Sequence, residues 1–174
     1  MNEFDITAAP LEIERKFLIA YPDIAVLQKQ EGYHLIHIEQ TYLNKDNGSA
    51  GGRIRRITDD ESVKFIYTCK QKITEITRYE YEKEISSDEY DALIQQKQAG
   101  SSTIIKDRHI FRYGQLTYEL DIYEFWQDKA TLEAEVDSEN TVIPIPPFIT
   151  LIKEVTFDSR YNNSRLAYNL GEIE

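Results

Sequence analysis

The sequence predicts an α+β, mainly β fold: a closed antiparallel β-barrel with a few flanking helices. Three observations carry that prediction. Residue types that favour a pleated surface are abundant, with 12 Tyr in 174 residues and frequent Ile and Thr. Charge recurs at every second position in seven segments: Glu12-Ile-Glu14-Arg-Lys16, Arg53-Ile-Arg55, Lys70-Gln-Lys72, Glu80-Tyr-Glu82-Lys-Glu84, Lys106-Asp-Arg108, Glu119-Leu-Asp121 and Glu133-Ala-Glu135. The signs are also sorted by strand, with bases on the third, fourth and sixth strands and acids toward both ends of the chain order.

Period two places each set on one face of its strand. A solvated outer face mixes charge with Ser, Thr, Gln and Asn, whereas these positions are nearly all ionic. Like charges two apart on one face repel, so folding alone does not favour the sorting. A closed barrel accounts for both features, because inward and outward residues alternate along every strand. A charged interior is stable only when each charge has a partner or a ligand. Opposed basic and acidic walls with ions between them meet that condition.

The expected strands are Leu11–Ile19, Leu35–Asn44, Gly52–Thr58, Ser62–Lys72, Ile76–Ile85, Ser102–Tyr113, Leu116–Glu124, Thr131–Val136 and Ile152–Thr156. Lys45-Asp46-Asn47-Gly48 and Asp59-Asp60-Glu61 read as turns, and Tyr113-Gly114-Gln115 as a tight hairpin. Ser86 to Glu89 has capping-box spacing, and Tyr90, Leu93 and Ile94 follow on one helical face, with Gly100 as the expected stop. A second helix is expected from about Tyr161 to Leu170, and a shorter one between Asp23 and Gln30. Pro144, Pro146 and Pro147 mark an extended loop. No repeat or linker divides the chain, so a single domain is expected over residues 1–174, with 1–10 flexible.

Composition narrows the function. The net charge is −11, which repels nucleic acid and anionic membrane. An anionic ligand must therefore be captured in a local basic site. The alternating faces hold seven bases and nine acids, leaving 13 and 22 elsewhere, so the exterior stays acidic. Seven bases suffice to neutralise a polyanion of four or five charges. The surplus carboxylates suit hard divalent cations such as Mg²⁺. One cysteine, Cys69, excludes an intramolecular disulfide and fits a reducing compartment. Without an apolar N-terminal run or a spanning segment, the expected location is cytoplasmic. His34, His37 and His109 lack a partner motif and read as surface or packing residues. Cys69 is off the inward parity and reads as packing.

Glu12-x-Glu14-x-Lys16 resembles the ExExK signature of the CYTH superfamily, the triphosphate tunnel metalloenzymes. Arg53-Ile-Arg55, Thr68-Cys69-Lys70, Glu80-Tyr81-Glu82, Lys106-x-Arg108, Glu119-Leu120-Asp121 and Glu133-Ala134-Glu135 match in the same order. Lys153-Glu154-Val155-Thr156, followed by Asp158, Arg160-Tyr161 and Leu166-Ala167, resembles the family's bacterial ending. The short link from Lys16 to the second strand is similar to the compact bacterial subgroup.

The resemblance implies an eight-stranded antiparallel tunnel and a small-molecule triphosphate as substrate. It implies that Glu12, Glu14, Glu133 and Glu135 face Mg²⁺ or Mn²⁺, with Glu119 and Asp121 as helpers. Lys16, Arg53, Arg55, Lys70, Arg108 and Lys153 would hold phosphates, with Lys106 and Lys72 as further members. Glu12, Glu14, Lys16 and Glu135 would be catalytic. Glu80 and Glu82 would either bind metal or orient the bases. The implied chemistry is metal-dependent hydrolysis of a phosphoanhydride, with inorganic tripolyphosphate the simplest substrate. Alternatives on the same scaffold are a class IV adenylate cyclase, a thiamine triphosphatase and a non-catalytic binder of polyphosphate or organic phosphate. An apolar outer barrel face left bare by so few helices would favour a homodimer.

Overall fold

The computed structural model describes residues 6–45 and 51–173. Nine strands and three α-helices follow in the order β1 (Leu11–Ala20), α1 (Ile24–Leu27), β2 (Glu31–Tyr42), β3 (Arg53–Thr58), β4 (Val63–Lys72), β5 (Thr77–Ile85), α2 (Ser87–Ile94), β6 (Ile104–Tyr113), β7 (Leu116–Tyr123), β8 (Lys129–Glu135), β9 (Leu151–Glu154) and α3 (Asn163–Asn169). Eight strands close a barrel in the order β1-β5-β4-β3-β2-β6-β7-β8 and back to β1, with every pairing antiparallel. The expected closed eight-stranded tunnel is therefore the fold.

Closure falls on β1. Its first residues, Leu11–Ile13, pair with Tyr79–Thr77 of β5. Glu14 to Ala20 pair with Glu135 to Lys129 of β8. Where β5 diverges, β9 takes its place beside Phe17 to Ile19. Beyond β9 the chain leaves the ladder but stays pinned to Lys16, which accepts from Val155 N at 2.9 Å and donates its own N–H to Thr156 Oγ1 at 2.9 Å. That is why the ninth strand ends at Glu154 and not at the expected Thr156.

Register fixes which side chains enter the bore. Lys16 opposes Glu133, Arg108 opposes Asp121, Arg55 opposes Ile66, and Lys70 opposes Glu80. The alternate positions point outward and form two apolar layers. Phe17, Ile19, Phe111, Tyr118, Leu120 and Leu132 pack under α1 and the proline-bearing segment, with Ile143, Ile145, Phe148 and Ile149 laid across them. Tyr118 donates its hydroxyl to Pro144 O at 2.5 Å. Ile54, Ile85, Phe65 and Tyr67 lie under Tyr90, Leu93 and Ile94 of α2. The loop and the helices thus cover much of the apolar outer wall that sequence alone would leave bare. A third apolar layer lies inside, because Leu18, Ile104 and Tyr123 carry inward parity. Trp126, Tyr161, Leu166 and Ala167 cap them at one end of the bore.

Local chemistry explains the turns and caps. Gly114 takes φ +61° in the two-residue link between Tyr113 and Leu116. Asp59 Oδ1 accepts from the backbone N–H groups of Glu61 and Ser62, which folds the β3–β4 turn. Gly52, at φ +96°, immediately precedes β3, where a Cβ would lie 2.4 Å from Thr68 O, so only glycine permits that approach. Ser86 and Glu89 form the expected capping box. The helix stops at Ile94, well before Gly100, because the following residues are drawn into pairing with the end of β2: Asn44 N donates to Gln96 O, Gln98 N donates to Tyr42 O, and Leu43 bridges Lys97.

Other boundaries also shift. β2 starts four residues earlier than expected, at Glu31, because an irregularity between Glu31 and His34 lets a turn-like sequence continue to pair with β6. Tyr161 belongs to a 3₁₀ turn (Ser159–Tyr161) that precedes α3. Within the expected flexible stretch 1–10, Ile6–Ala8 form a 3₁₀ turn and Pro10 O accepts from Glu80 N. The turn expected at Lys45 to Gly48 lies outside the described residues beyond Lys45. No described helix is long and apolar enough to cross a membrane.

Candidate active site

The signs that alternate along the chain become two arcs once the strands close. β7, β8, β1 and β5 are contiguous around the barrel, and their inward positions are Glu119, Asp121, Glu133, Glu135, Glu12, Glu14, Glu80 and Glu82. The facing arc, β6-β2-β3-β4, presents Lys106, Arg108, Arg53, Arg55 and Lys70. β2 supplies no charge to the bore; it contributes Gln40 and Tyr42, whose side chains are hydrogen-bonded to one another at 2.8 Å. Lys16 is a cation set in the acidic arc.

A cavity of about 620 Å³ lies between the arcs. Lys16, Arg53, Arg55, Lys70 and Arg108 line it from the basic set, and Glu12, Glu14, Glu80, Glu82, Glu119, Glu133 and Glu135 from the acidic set. Its mouth carries Tyr42, Lys45, Gln98, Asn162, Asn163 and Ser164. A second, smaller cavity of about 490 Å³ shares Glu12, Glu14, Glu119, Glu133 and Glu135 and opens past Gln115, Thr117 and Thr141. The same carboxylates thus face two openings.

The bore has two parts. Its floor is an ion-pair lattice. Arg108 donates to both oxygens of Asp121, at 2.7 and 2.8 Å. It also bonds Glu119 and reaches Glu133 at 3.3 Å. Lys106 donates to Asp121, and Lys16 Nζ lies 2.6 Å from Glu133 Oε1. Burial alone would raise both acids, but the cations hold Asp121 well below the usual carboxylate range, and Lys16 holds Glu133 down at about 2. These groups are charged and matched.

The chamber beside that lattice is not matched. Glu12 is pushed up to about 8 by burial, which outweighs the Lys70 ammonium 2.6 Å away, and by the neighbouring Glu80 and Glu14. Burial opposes ionisation of Glu80 too, yet the hydrogen bond from Glu12 and the charge of Lys70 bring it down to about 2. Burial and the charges of Glu14 and Glu80 raise Glu135, which is the cross-strand neighbour of Glu14. On the opposite arc, burial and the adjacent Arg53 lower Arg55 to about 10, although it bonds Glu82 at 2.5 Å and Thr68 at 3.1 Å. Arg53 makes no ion pair among the described residues, and its buried Nε has no hydrogen-bond partner there.

The structure gathers most of the expected site, with three exceptions. Asp121 and Lys106 face inward but lie in the floor, where Asp121 accepts from both Arg108 and Lys106, and neither lines the cavity. Lys153, opposite Leu18 on β9, does not line the cavity; its Nζ lies 3.9 Å from Asp158 and 4.8 Å from the centre of the Tyr161 ring. Lys72 pairs with Glu75 at the exposed end of β4. Conversely, Arg78 lines the cavity without having been expected there. It stands two residues before Glu80, so the same period-two rule, carried one step back along β5, would have found it.

The donor set suits hard divalent cations. Glu12, Glu14, Glu80 and Glu135 gather in the lining around Lys70, and oxygen-only ligands favour Mg²⁺ or Mn²⁺. No three acidic, histidine or cysteine side chains among the described residues are drawn together as a preformed cage. One or two carboxylates completed by ligand oxygens and water fit that arrangement.

The profile of the CYTH domain matches residues 10–145. A solved structure described as the inorganic triphosphatase NE1496 is 28% identical, with a TM-score of 0.55 over 90% of this chain and 94% of that one. The PH1819 protein from Pyrococcus horikoshii OT3 is 22% identical, with a TM-score of 0.55 over 74% of this chain and 80% of that one, which shows the shared fold. No curated protein matches the chain.

Proposed function

The chain belongs to the CYTH domain family, and on that premise we propose that it hydrolyses a triphosphate, with inorganic tripolyphosphate the favoured substrate. One observation carries the reading: a basic arc and an acidic arc face each other across a cavity, and burial and like-charge neighbours raise Glu12 and Glu135 in the acidic arc, a cost that a bound cation would relieve. The likeness to an inorganic triphosphatase supports it.

Each part of the chamber has a task in this reading. Arg53, Arg55 and Arg108 offer planar N–H forks that match phosphoryl oxygens, and Lys16 and Lys70 add point charges. Arg53 makes no ion pair among the described residues, so turning to a phosphate breaks none of those. Arg108 is held rigid by Asp121 and serves as a fixed anchor. A divalent cation held by Glu14 and Glu135, with Glu12 or Glu133 beside them, would neutralise charge on the transferring phosphoryl group and lower the pKa of a bound water. The ion pairs exclude bulk water from the floor, which strengthens every charge interaction there. No histidine lies in the chamber: His37 pairs with Asp107 and His109 with Tyr33 on the outer wall.

The test is phosphate release from tripolyphosphate, ATP and thiamine triphosphate, each with Mg²⁺, Mn²⁺ or EDTA, and with cyclic AMP assayed in the ATP samples. Metal-dependent release from tripolyphosphate, well above that from the other two, is the expected result. Cyclic AMP with pyrophosphate would replace hydrolysis by cyclisation. No turnover, with tripolyphosphate still raising the melting temperature, would leave a binding protein.

A further inference from the structure

We infer that Arg78 is a substrate-positioning residue, which together with Arg53 clamps one end of the polyphosphate on either side of Lys70. The inference rests on the triphosphate reading above. Arg78 occupies an inward position on β5, where it is the cross-strand partner of Glu12 on one side and of Lys72 on the other. It lines the same cavity as Lys70 and Arg53. Lys70 stands one inward step along β4 from Lys72, the partner of Arg78, and one step from Thr68, the partner of Arg53. The two arginines therefore flank Lys70 from the two neighbouring strands.

Their hydrogen-bonding state points to a ligand. The Nε atoms of Arg78 and Arg53 are both buried, and neither has a hydrogen-bond partner among the described residues. Arg78 comes no nearer to Glu12 than 4.0 Å, whereas Lys70 reaches the same carboxylate oxygen at 2.6 Å. A buried guanidinium donor left unmade is costly and is ordinarily satisfied. Arg78 and Arg53 both line the cavity, either side of a lysine, and their guanidinium groups fit the oxygens of a terminal phosphoryl group, which accepts several N–H bonds at once. The purely structural alternative is that Arg78 fastens the seam between β1 and β5. That role would need a close ion pair with Glu12, and Lys70 holds that place.

The experiment compares wild type, Arg53→Ala, Arg78→Ala, Arg78→Gln and Arg78→Lys. It measures tripolyphosphate turnover with Mg²⁺, the melting temperature without ligand, and calorimetric binding of tripolyphosphate in EDTA. Arg78→Ala and Arg78→Gln should raise KM by about tenfold or more, comparable with Arg53→Ala and in line with the loss of charge-assisted bonds. In both variants kcat should change less than the KM, and the ligand-free melting temperature should hold. Arg78→Lys should recover part of the affinity. Should Arg78→Ala fail to fold, Arg78→Gln and Arg78→Lys carry the same comparison. An unchanged KM and Kd in an active protein would overturn the role of Arg78 and leave the hydrolase reading standing. So would a loss of affinity that only tracks a lower melting temperature and that lysine does not restore. If wild type neither binds nor cleaves tripolyphosphate, both readings fall together.

Discussion

The floor and the chamber of the bore are built from the same residue types on the same parity, yet they are opposite in character. In the floor, Asp121 is matched by Arg108 and Lys106, and Glu133 by Lys16. In the chamber, burial and acidic neighbours raise Glu12 and Glu135, and the buried Nε donors of Arg53 and Arg78 have no partner among the described residues. A charged side chain inside a barrel therefore does not declare its role by type or spacing. What separates scaffold from site is whether its partners are already in place. A matched lattice holds shape; an unmatched set is completed by a ligand.

Three substitutions sharpen that contrast. The largest effect is expected in the floor. Asp121→Ala strands two buried cations, which costs about 3–5 kcal/mol and lowers the melting temperature by roughly 10 °C for a chain of this size. Activity should fall with it, through the displaced Arg108. A melting temperature within a degree or two of wild type would show that the lattice is not what holds the bore. The chamber should respond the other way. Glu135→Gln removes a carboxyl that its neighbours repel, so stability should hold or rise slightly. Metal-dependent turnover should drop by roughly 100-fold, the scale seen when a group acting on transition-state charge is lost. Normal turnover would remove Glu135 from the machinery. The smallest effect is expected at β9. Lys153→Ala gives up a contact with Tyr161 worth about 0.5–1 kcal/mol and should leave the KM for tripolyphosphate within about twofold, because its ion pair is exposed and Lys153 does not line the cavity. A large rise in KM would return Lys153 to the phosphate-binding set that the family resemblance implies.

Much of this was legible in the sequence because period two is a rigid geometric rule. Once Glu12, Glu14 and Lys16 share a face, and Arg53 and Arg55 share another, closure alone brings them together. The capping box at Ser86 and the hairpin at Gly114 were legible for the same reason, being local chemistry. The missing information was non-local. Nothing around Asp121 says that Arg108 and Lys106 will both claim it, since those partners come from the neighbouring strand. Arg78 was passed over because an uncharged Tyr79 and the start of the strand hid its parity with Glu80. Lys153 lies in a motif that matches the family's ending, but β9 pairs beside β1 and does not enter the barrel order. The end of α2 was misplaced because Gly100 is a credible stop, whereas pairing with β2 ended the helix first.

The seam at β1 has a consequence for how the molecule comes into being. The partners of β1 lie on β5, β8 and β9, so its ladder is complete only when Glu154 is available. During synthesis from the N-terminus, the first strand made is among the last to be finished. Contacts of such high sequence separation slow folding, and a strand kept waiting is open to pairing with other chains. Glu12, Glu14, Arg15 and Lys16 put charge on four of the first six residues of that strand. The residues that equip the mature cavity would also serve the nascent chain as gatekeepers against aggregation.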